Sequence, residues 1–158
     1  MATTSPADRD RAGVIAPPPL IFLAFLIAGI VVARKVLPPV EVPYGVVIGA
    51  VLVAAALAFA IWAAMTMKRA GTHVDPYQPS TTIVTSGPFR WTRNPLYLSM
   101  TVSYIGLALI FHAVAALVLL PVALLVMVFG VIRREEAYLQ RKFGVEYSEY
   151  RRRVRRWL

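Results

Sequence analysis

The chain has no cysteine, which excludes disulfides, thiolate nucleophiles and cysteine-ligated metal sites. It also has no Gly-x-Gly-x-x-Gly pattern after a strand-like segment, so a nucleotide-binding α/β domain is not indicated. Acidic residues are scarce, with 8 Asp and Glu against 17 Lys and Arg and a net charge of +9. In a soluble protein this excess of positive charge would suggest a nucleic-acid partner.

Hydrophobic residues decide against that interpretation. They make up 58% of the 158 residues, whereas soluble domains are usually about 45–50% apolar. The composition predicts a small integral membrane protein with one compact unit. Its basic residues then mark the cytoplasmic face and contact anionic lipid, and no nucleic-acid partner is expected.

The hydropathy pattern predicts an all-α bundle of about four membrane helices. The run from Leu96 to Ile132 contains no Asp, Glu, Lys or Arg, and as one helix it would be about 55 Å long, too long for a single crossing. We therefore expect a helical hairpin that turns near Phe111-His112. The predicted segments are a flexible N-terminus (1–16), then a single domain (17–158) with spans at about 19–36, 44–67, 96–111 and 113–132, a loop at 68–95 and a tail at 133–158.

The distribution of Lys and Arg predicts the orientation. Only Arg34 and Lys35 lie on the far side in a four-span topology, so both termini, the loop and the tail are expected to be cytoplasmic. In the tail, Tyr147, Tyr150, Val154 and Trp157 recur at helical spacing among arginines, which predicts a basic amphipathic helix on the membrane, in contact with anionic lipid. Gly45 and Gly49 form a small-xxx-small pair, which indicates a helix contact.

Two polar clusters flank the predicted hairpin. Asn94-Pro95 is typical of a helix start, and Arg90 and Arg93 could serve only as interfacial anchors. Glu135-Glu136 follows the last span directly, where carboxylates are uncommon enough to indicate a cationic partner. Because the ends of a hairpin emerge on one side, we expect these clusters to share a pocket with carboxylates, an amide and the Tyr97 phenol.

The ordered pattern resembles a known family. Gly-Pro-Phe-Arg-x-x-Arg-Asn-Pro-Leu-Tyr, a hairpin, Glu-Glu-x-x-Leu and Phe-Gly-x-Glu-Tyr-x-x-Tyr follow one another over about residues 66–154. This set resembles the isoprenylcysteine carboxyl methyltransferase and phospholipid methyltransferase families. The resemblance implies a membrane methyltransferase that uses S-adenosylmethionine and acts on a lipid-soluble acceptor.

The resemblance also implies roles for individual residues. Arg90 and Arg93 are the catalytic candidates, because either could hold the donor carboxylate or an anionic acceptor group. Asn94 stands where the family has a histidine, so a mechanism that needs an imidazole base there is in doubt. The implied cofactor-binding set is Ile83, Val84, Gly87, Pro88, Phe89, Arg90, Asn94, Tyr97, Glu135 and Glu136.

Two other functions stay open at this point. A nicotinamide-dependent membrane reductase is similar in its last helices, and a non-catalytic membrane adaptor could use the basic tail alone. His73 and His112 fall on opposite faces of the predicted topology, so no metal site is expected. The sequence leaves the methyl acceptor and the oligomeric state open.

Overall fold

The computed structural model describes residues 13–37, 40–75 and 77–158. The described part is helical and contains no strand, which confirms the predicted all-α class. Of the predicted flexible N-terminus, residues 1–12 lie outside the described ranges. The elements are α1 (Pro18–Lys35), α2 (Gly45–Arg69), a 3-10 turn (Gly87–Arg90), α3 (Pro95–Ile110), α4 (Val114–Met127), a π turn (Val128–Ile132), α5 (Arg133–Phe143) and α6 (Val145–Arg153).

Three of the helical segments are long and apolar enough to cross a membrane. They are α1, α2 and the continuous helix Val114–Phe143, which joins α4 and α5 through the π turn. The fourth apolar helix, α3, has 16 residues and is about 24 Å long, somewhat less than a typical hydrocarbon core. The hairpin turns at Phe111 to Ala113, which confirms the predicted position.

Small residues bring the helices together in two pairs. In the α2–α3 pair, a methyl group on Gly49 would overlap the carbonyl oxygen of Gly106. In the α1–α4 pair, a methyl group on Gly29 would overlap the backbone of Ala116. The predicted contact role of Gly49 is therefore confirmed, and backbone approach of this kind is how helices associate where hydrophobic burial gives little driving force.

The largest buried cluster links the two helix pairs. Tyr104 of α3 is 2% exposed, and its hydroxyl donates to the carbonyl of Ala116 at 2.8 Å. Phe22 of α1 packs beside it with ring centroids 6.1 Å apart. Met127 of α4 is fully buried in the same cluster. These contacts fix α3 against α4, and so they fix the two ends of the hairpin relative to each other.

The tail is helical over most of its length, as predicted, but it differs from a single helix in two ways. Gly144 adopts a left-handed φ of 54° and separates α5 from α6, which glycine does at little cost. The helix then ends at Arg153, because Val154 is extended with φ −122° and ψ 132°. The prediction that the amphipathic helix continues to Trp157 was wrong, since residues 154–157 leave the helix and make tertiary contacts instead.

The apolar side chains of the tail face the protein. Tyr147, Tyr150 and Val154 form a buried cluster against Ile83 and Phe143. Arg151, Arg152 and Arg153 are exposed on the other side. Contact of these arginines with anionic lipid stays a prediction.

Candidate functional site

A cavity lies where the start of α3 meets α5, α6 and the loop between α2 and the 3-10 turn. Its volume is about 140 Å³, roughly ten times the space that a single water molecule needs. Its polar lining includes Arg93, Asn94, Tyr97, Glu135 and Glu136. The hairpin therefore does bring the two predicted polar clusters to one place. The loop contributes Thr72, His73, Val74, Asp75, Gln78, Ser80, Thr82, Ile83 and Val84.

The two neighbouring glutamates have different partners. Glu136 is held by Arg156, whose Nε and Nη2 donate to Oε1 at 2.9 Å and to Oε2 at 2.7 Å. This is the two-pronged geometry that gives the strongest charge-assisted hydrogen bonds. Glu135 instead accepts a hydrogen bond from the Tyr97 hydroxyl at 2.5 Å. The negative charge of Glu136 is thus neutralised within the protein, whereas no described cation forms an ion pair with Glu135.

Arg93 is a buried cation with spare hydrogen-bonding capacity. Its side chain is 10% exposed, and Nη1 lies 3.1 Å from Glu136 Oε1. That approach is too poorly aligned for a hydrogen bond, so Nε and Nη1 have no hydrogen-bond partner among the described residues. Buried donors left unpaired cost free energy, and in native proteins they call for a specific explanation. Both nitrogens are also inaccessible to solvent, so a ligand in the cavity could accept from them only after the guanidinium moves.

Arg156 reaches the site because the chain returns to it after α6. The Arg93 N–H donates to the carbonyl of Arg155 at 3.0 Å. The carbonyl of Arg156 accepts from Thr92 Oγ1 at 3.1 Å and from Asn94 Nδ2 at 2.9 Å. The segment before α3 and the segment after α6 therefore lie side by side. Trp157 packs against the main core cluster and holds the returning segment in place.

Tyrosines fix the remaining walls of the cavity. The Tyr150 hydroxyl donates to the carbonyl of Phe89 at 2.8 Å, which joins α6 to the 3-10 turn. The Tyr138 hydroxyl of α5 accepts from the backbone N–H of Ser80 at 3.1 Å, which places the long loop over the cavity. Burial raises the pKa of Tyr147 and of Tyr150, so both stay neutral at physiological pH.

The predicted residues fall into two groups. Arg93 and seven of the predicted cofactor-binding residues line the cavity: Ile83, Val84, Phe89, Asn94, Tyr97, Glu135 and Glu136. Gly87, Pro88 and Arg90 do not. Arg90 is exposed on the 3-10 turn, whereas Pro88 is buried beneath it. Of the two arginines proposed from sequence, only Arg93 lines the cavity.

Sequence reasoning missed Arg156 and the loop residues around Ser80. Arg156 is one of five arginines in the run from Arg151 to Arg156, and nothing local marks it as different from the others. The loop gave a weak signal, since a long polar connection in so small a protein is usually functional. Among the described residues, no group of three His, Asp or Glu side chains could hold a metal ion.

Comparison with known proteins finds relatives that match part of this chain. The chain is 36% identical over 75 residues to the nickel-cobalt-cadmium resistance protein NccN of Alcaligenes xylosoxydans xylosoxydans, covering 48% of this chain and 35% of that protein. It is 37% identical over 73 residues to the cobalt-zinc-cadmium resistance protein CzcN of Cupriavidus metallidurans, covering 46% of this chain and 33% of that protein. The matched region thus spans about a third of these relatives' length. No solved structure matches the chain.

A family model gives the broader result. The phospholipid methyltransferase family model matches residues 44–146. That range includes α2, the loop, the hairpin and both glutamates, so it contains most of the cavity described above. The expected resemblance is confirmed: the chain belongs to the phospholipid methyltransferase family, a family of membrane methyltransferases.

Proposed function

We propose that the protein is an S-adenosylmethionine-dependent methyltransferase that acts on a lipid-soluble acceptor. The observation that carries the proposal is a pair of opposite charges in one cavity. Arg93 lines the cavity as a cation, and Glu135 lines it with a carboxyl group whose hydrogen-bond partner among the described residues is the Tyr97 hydroxyl. The amino-acid end of S-adenosylmethionine carries a carboxylate and an ammonium group, which match these two side chains in charge.

Arg93 would hold the donor carboxylate. The Arg93 guanidinium carries a permanent positive charge, so it can donate a charge-assisted hydrogen bond to a carboxylate. Its 10% exposure means that such a bond would be weakly screened by solvent and salt. The unpaired Nε and Nη1 are inaccessible to solvent, so the guanidinium would have to turn toward the donor for these two atoms to bind it.

Glu135 rather than Glu136 would receive the donor ammonium. Glu136 already shares its charge with Arg156 and Arg93, so an incoming ammonium would compete with two guanidinium groups. Among the described residues, Glu135 has the Tyr97 hydroxyl as its hydrogen-bond partner, and this neutral group orients the carboxyl group without competing for an ammonium. Sequence reasoning left the choice between the two glutamates open, and their different partners support this one.

Methyl transfer would require little of the protein beyond the alignment of donor and acceptor. When bound, S-adenosylmethionine supplies a methyl group on a positively charged sulfur. An acceptor lone pair forms the new bond to carbon while the carbon–sulfur bond breaks, and the electron pair of that bond stays on the sulfur. Such a displacement depends mainly on proximity and orientation. Asn94 in place of an imidazole is compatible with it, because a carboxylate acceptor needs no base and an amine need only be neutral.

The surroundings of the cavity favour a lipophilic acceptor. Met67, Phe89 and Leu96 form part of its wall. Met67 lies near the end of α2, Leu96 at the start of α3 and Phe89 on the 3-10 turn. By the positive-inside rule, the cavity and both termini face the cytoplasm. An acceptor with a lipid tail could then approach from the bilayer while its reactive group reaches the polar end.

Calorimetry on the detergent-purified protein tests the proposal. We expect saturable binding of S-adenosylmethionine at one site per chain and no binding of NADPH. Glu135→Gln should weaken S-adenosylmethionine binding by about 10-fold or more, since a hydrogen bond to a charged group contributes about 1.5–3 kcal/mol. Glu146→Gln is the control, because this substitution removes the same charge from an exposed position on α6.

Three results would count against it. Absence of S-adenosylmethionine binding to folded wild-type protein would overturn the proposal. Binding of NADPH alone would favour the reductase. Equal affinities of the Glu135→Gln and Glu146→Gln variants would remove Glu135 from the donor site.

A further inference from the structure

We propose that residues 13–15, a strap that precedes α1, hold the π turn and thereby set which side chains of α5 reach the cavity. The inference deepens the proposed function and rests on it, since Glu135 is the residue that the strap positions. The π turn (Val128–Ile132) lies where α4 of the bundle continues into α5. The strap lies outside residues 44–146, which match the family model, so its role is argued from its contacts in this chain.

The π turn determines the register of α5. The Arg133 N–H donates to the carbonyl of Val128, five residues earlier, whereas an α-helix bonds to the fourth residue back. The turn thus contains one extra residue, so each later residue occupies the place that its predecessor would have in an uninterrupted helix. Without the extra residue, Arg134 would occupy the place of Glu135, and Glu135 would be displaced by about 100° around the axis. The cavity would then be faced by an arginine where it now has a carboxyl group.

The strap contacts both sides of the point where the helix gains its extra residue. The Ile15 N–H donates to the carbonyl of Gly130 in the π turn at 3.2 Å. On the other side, Arg134 Nη1 of α5 donates to the carbonyl of Gly13 at 2.9 Å. Between these two bonds, Val14 is 9% exposed and lies in the main core cluster, which also contains the last two residues of the π turn. The strap therefore ties the π turn to the start of α5.

Gly130 gives the strap its space. A methyl group at this position would overlap Ile15 Cδ1 and would lie 2.7 Å from Cγ1, but it would lie 3.8 Å from Cβ. Gly130→Ala should therefore displace the strap, whereas Ile15→Ala leaves room for the same methyl group. Because π turns are rare and depend on their surroundings, we expect the helix to become regular once the strap is displaced.

The first measurement needs no ligand. The chain has no cysteine, so Ala137→Cys places a single thiol on α5. Ala137 is exposed, whereas its neighbour Tyr138 is 4% exposed. Loss of the extra residue moves position 137 to the place of Tyr138, where labelling waits for local opening. Gly130→Ala should therefore slow labelling of this thiol by a water-soluble maleimide by about 10-fold or more.

The matched variants separate the strap from other effects. Ile15→Ala keeps the backbone N–H and should label as the wild-type background does, and Ile15→Ala/Gly130→Ala should recover that rate. Ala70→Cys is the control thiol, because Ala70 is exposed directly after α2 and should label equally in every background. Thermal unfolding reports that each variant is folded.

Calorimetry with S-adenosylmethionine then relates the register to the site. We expect Gly130→Ala to weaken binding by about 10-fold, and Ile15→Ala/Gly130→Ala to bind within about 3-fold of wild type. Glu135→Gln should cost about 10-fold in the wild-type background. In the Gly130→Ala background it should add little, since the carboxyl group has already left its place. A merely structural role of the strap would leave these two losses equal.

Recovery of labelling and affinity in Ile15→Ala/Gly130→Ala supports the inference. Normal labelling in Gly130→Ala overturns it, and so does a double variant that labels as slowly as Gly130→Ala, because alanine would then act through its helix propensity. If Gly130→Ala does not fold, Ile15→Pro replaces it, since proline has no N–H to donate to Gly130, and labelling should again slow. A wild-type protein that labels as expected but binds no donor counts against the proposed function instead, and labelling alone then decides the role of the strap.

Discussion

The apolar helix bundle and the polar end of the molecule are held together by different interactions. In the bundle, α2 meets α3 and α1 meets α4 through glycine and alanine, with backbones in close contact. At the polar end, residues 92–97 meet Glu135, Glu136 and residues 154–157 through charges and hydrogen bonds. The difference teaches that stability and ligand binding reside in separate parts of this small chain. Substitutions in one part should leave the property of the other unchanged.

The sharpest test of the polar end is the pair Arg93→Gln and Arg90→Gln. Both remove one positive charge, but Arg93 lines the cavity and Arg90 is exposed. Loss of the buried guanidinium should weaken S-adenosylmethionine binding by about 10- to 100-fold, since hydrogen bonds to charged groups contribute about 1.5–3 kcal/mol. Arg90→Gln should bind normally. Calorimetry measures both, and equal losses in the two variants would contradict the assignment.

The bundle is tested by Gly49→Ala. A methyl group there overlaps the carbonyl oxygen of Gly106, so α2 and α3 must separate, at a cost of about 1–3 kcal/mol. We expect a lower thermal unfolding midpoint in detergent and an unchanged donor affinity. Ala50→Val is the control, because Ala50 is exposed on the same helix. A large loss of donor affinity in folded Gly49→Ala protein would break the separation between the two parts.

Tyr97→Phe should have a smaller effect on the polar end. It removes the hydroxyl that donates to Glu135 at 2.5 Å but keeps the ring that packs in the main core cluster. Glu135 would lose the hydrogen bond that orients it, so donor affinity should fall by about 3- to 10-fold. The unfolding midpoint should change little. Unaltered affinity would mean that the hydroxyl does not orient the carboxylate for the donor.

The smallest effect is expected at the opposite end of the bundle. His112 Nδ1 accepts from the Val42 N–H at 3.0 Å, which joins the hairpin turn to the segment before α2. His112→Ala should lower stability by about 0.5–1.5 kcal/mol, the usual net value of one hydrogen bond. Its φ of 53° makes asparagine the better-tolerated replacement, because asparagine adopts the left-handed region more readily. A change in donor affinity would show that the two ends communicate.

Local sequence patterns predicted the helices, the hairpin turn and the family. The charge-free run from Leu96 to Ile132 had to fold back because one straight helix would exceed the bilayer. Gly49 indicated a helix contact because small residues let backbones approach. The ordered motifs carried the family resemblance that the family match confirms. Each of these signals depends on neighbouring residues or on chain length alone.

Only the tertiary structure decided how the charges are paired. Sequence could not separate Glu135 from Glu136, or Arg156 from its neighbouring arginines, because adjacent residues of one type carry the same local information. Their roles differ through contacts such as that between Asn94 and Arg156, which lie 62 positions apart. The same contacts end α6 at Arg153, where helical spacing alone predicted that it continues. The sequence by itself determined a membrane helix bundle of this family, whereas the return of residues 154–157 decided which charges stay free, because pairing depends on distances that only the folded chain sets.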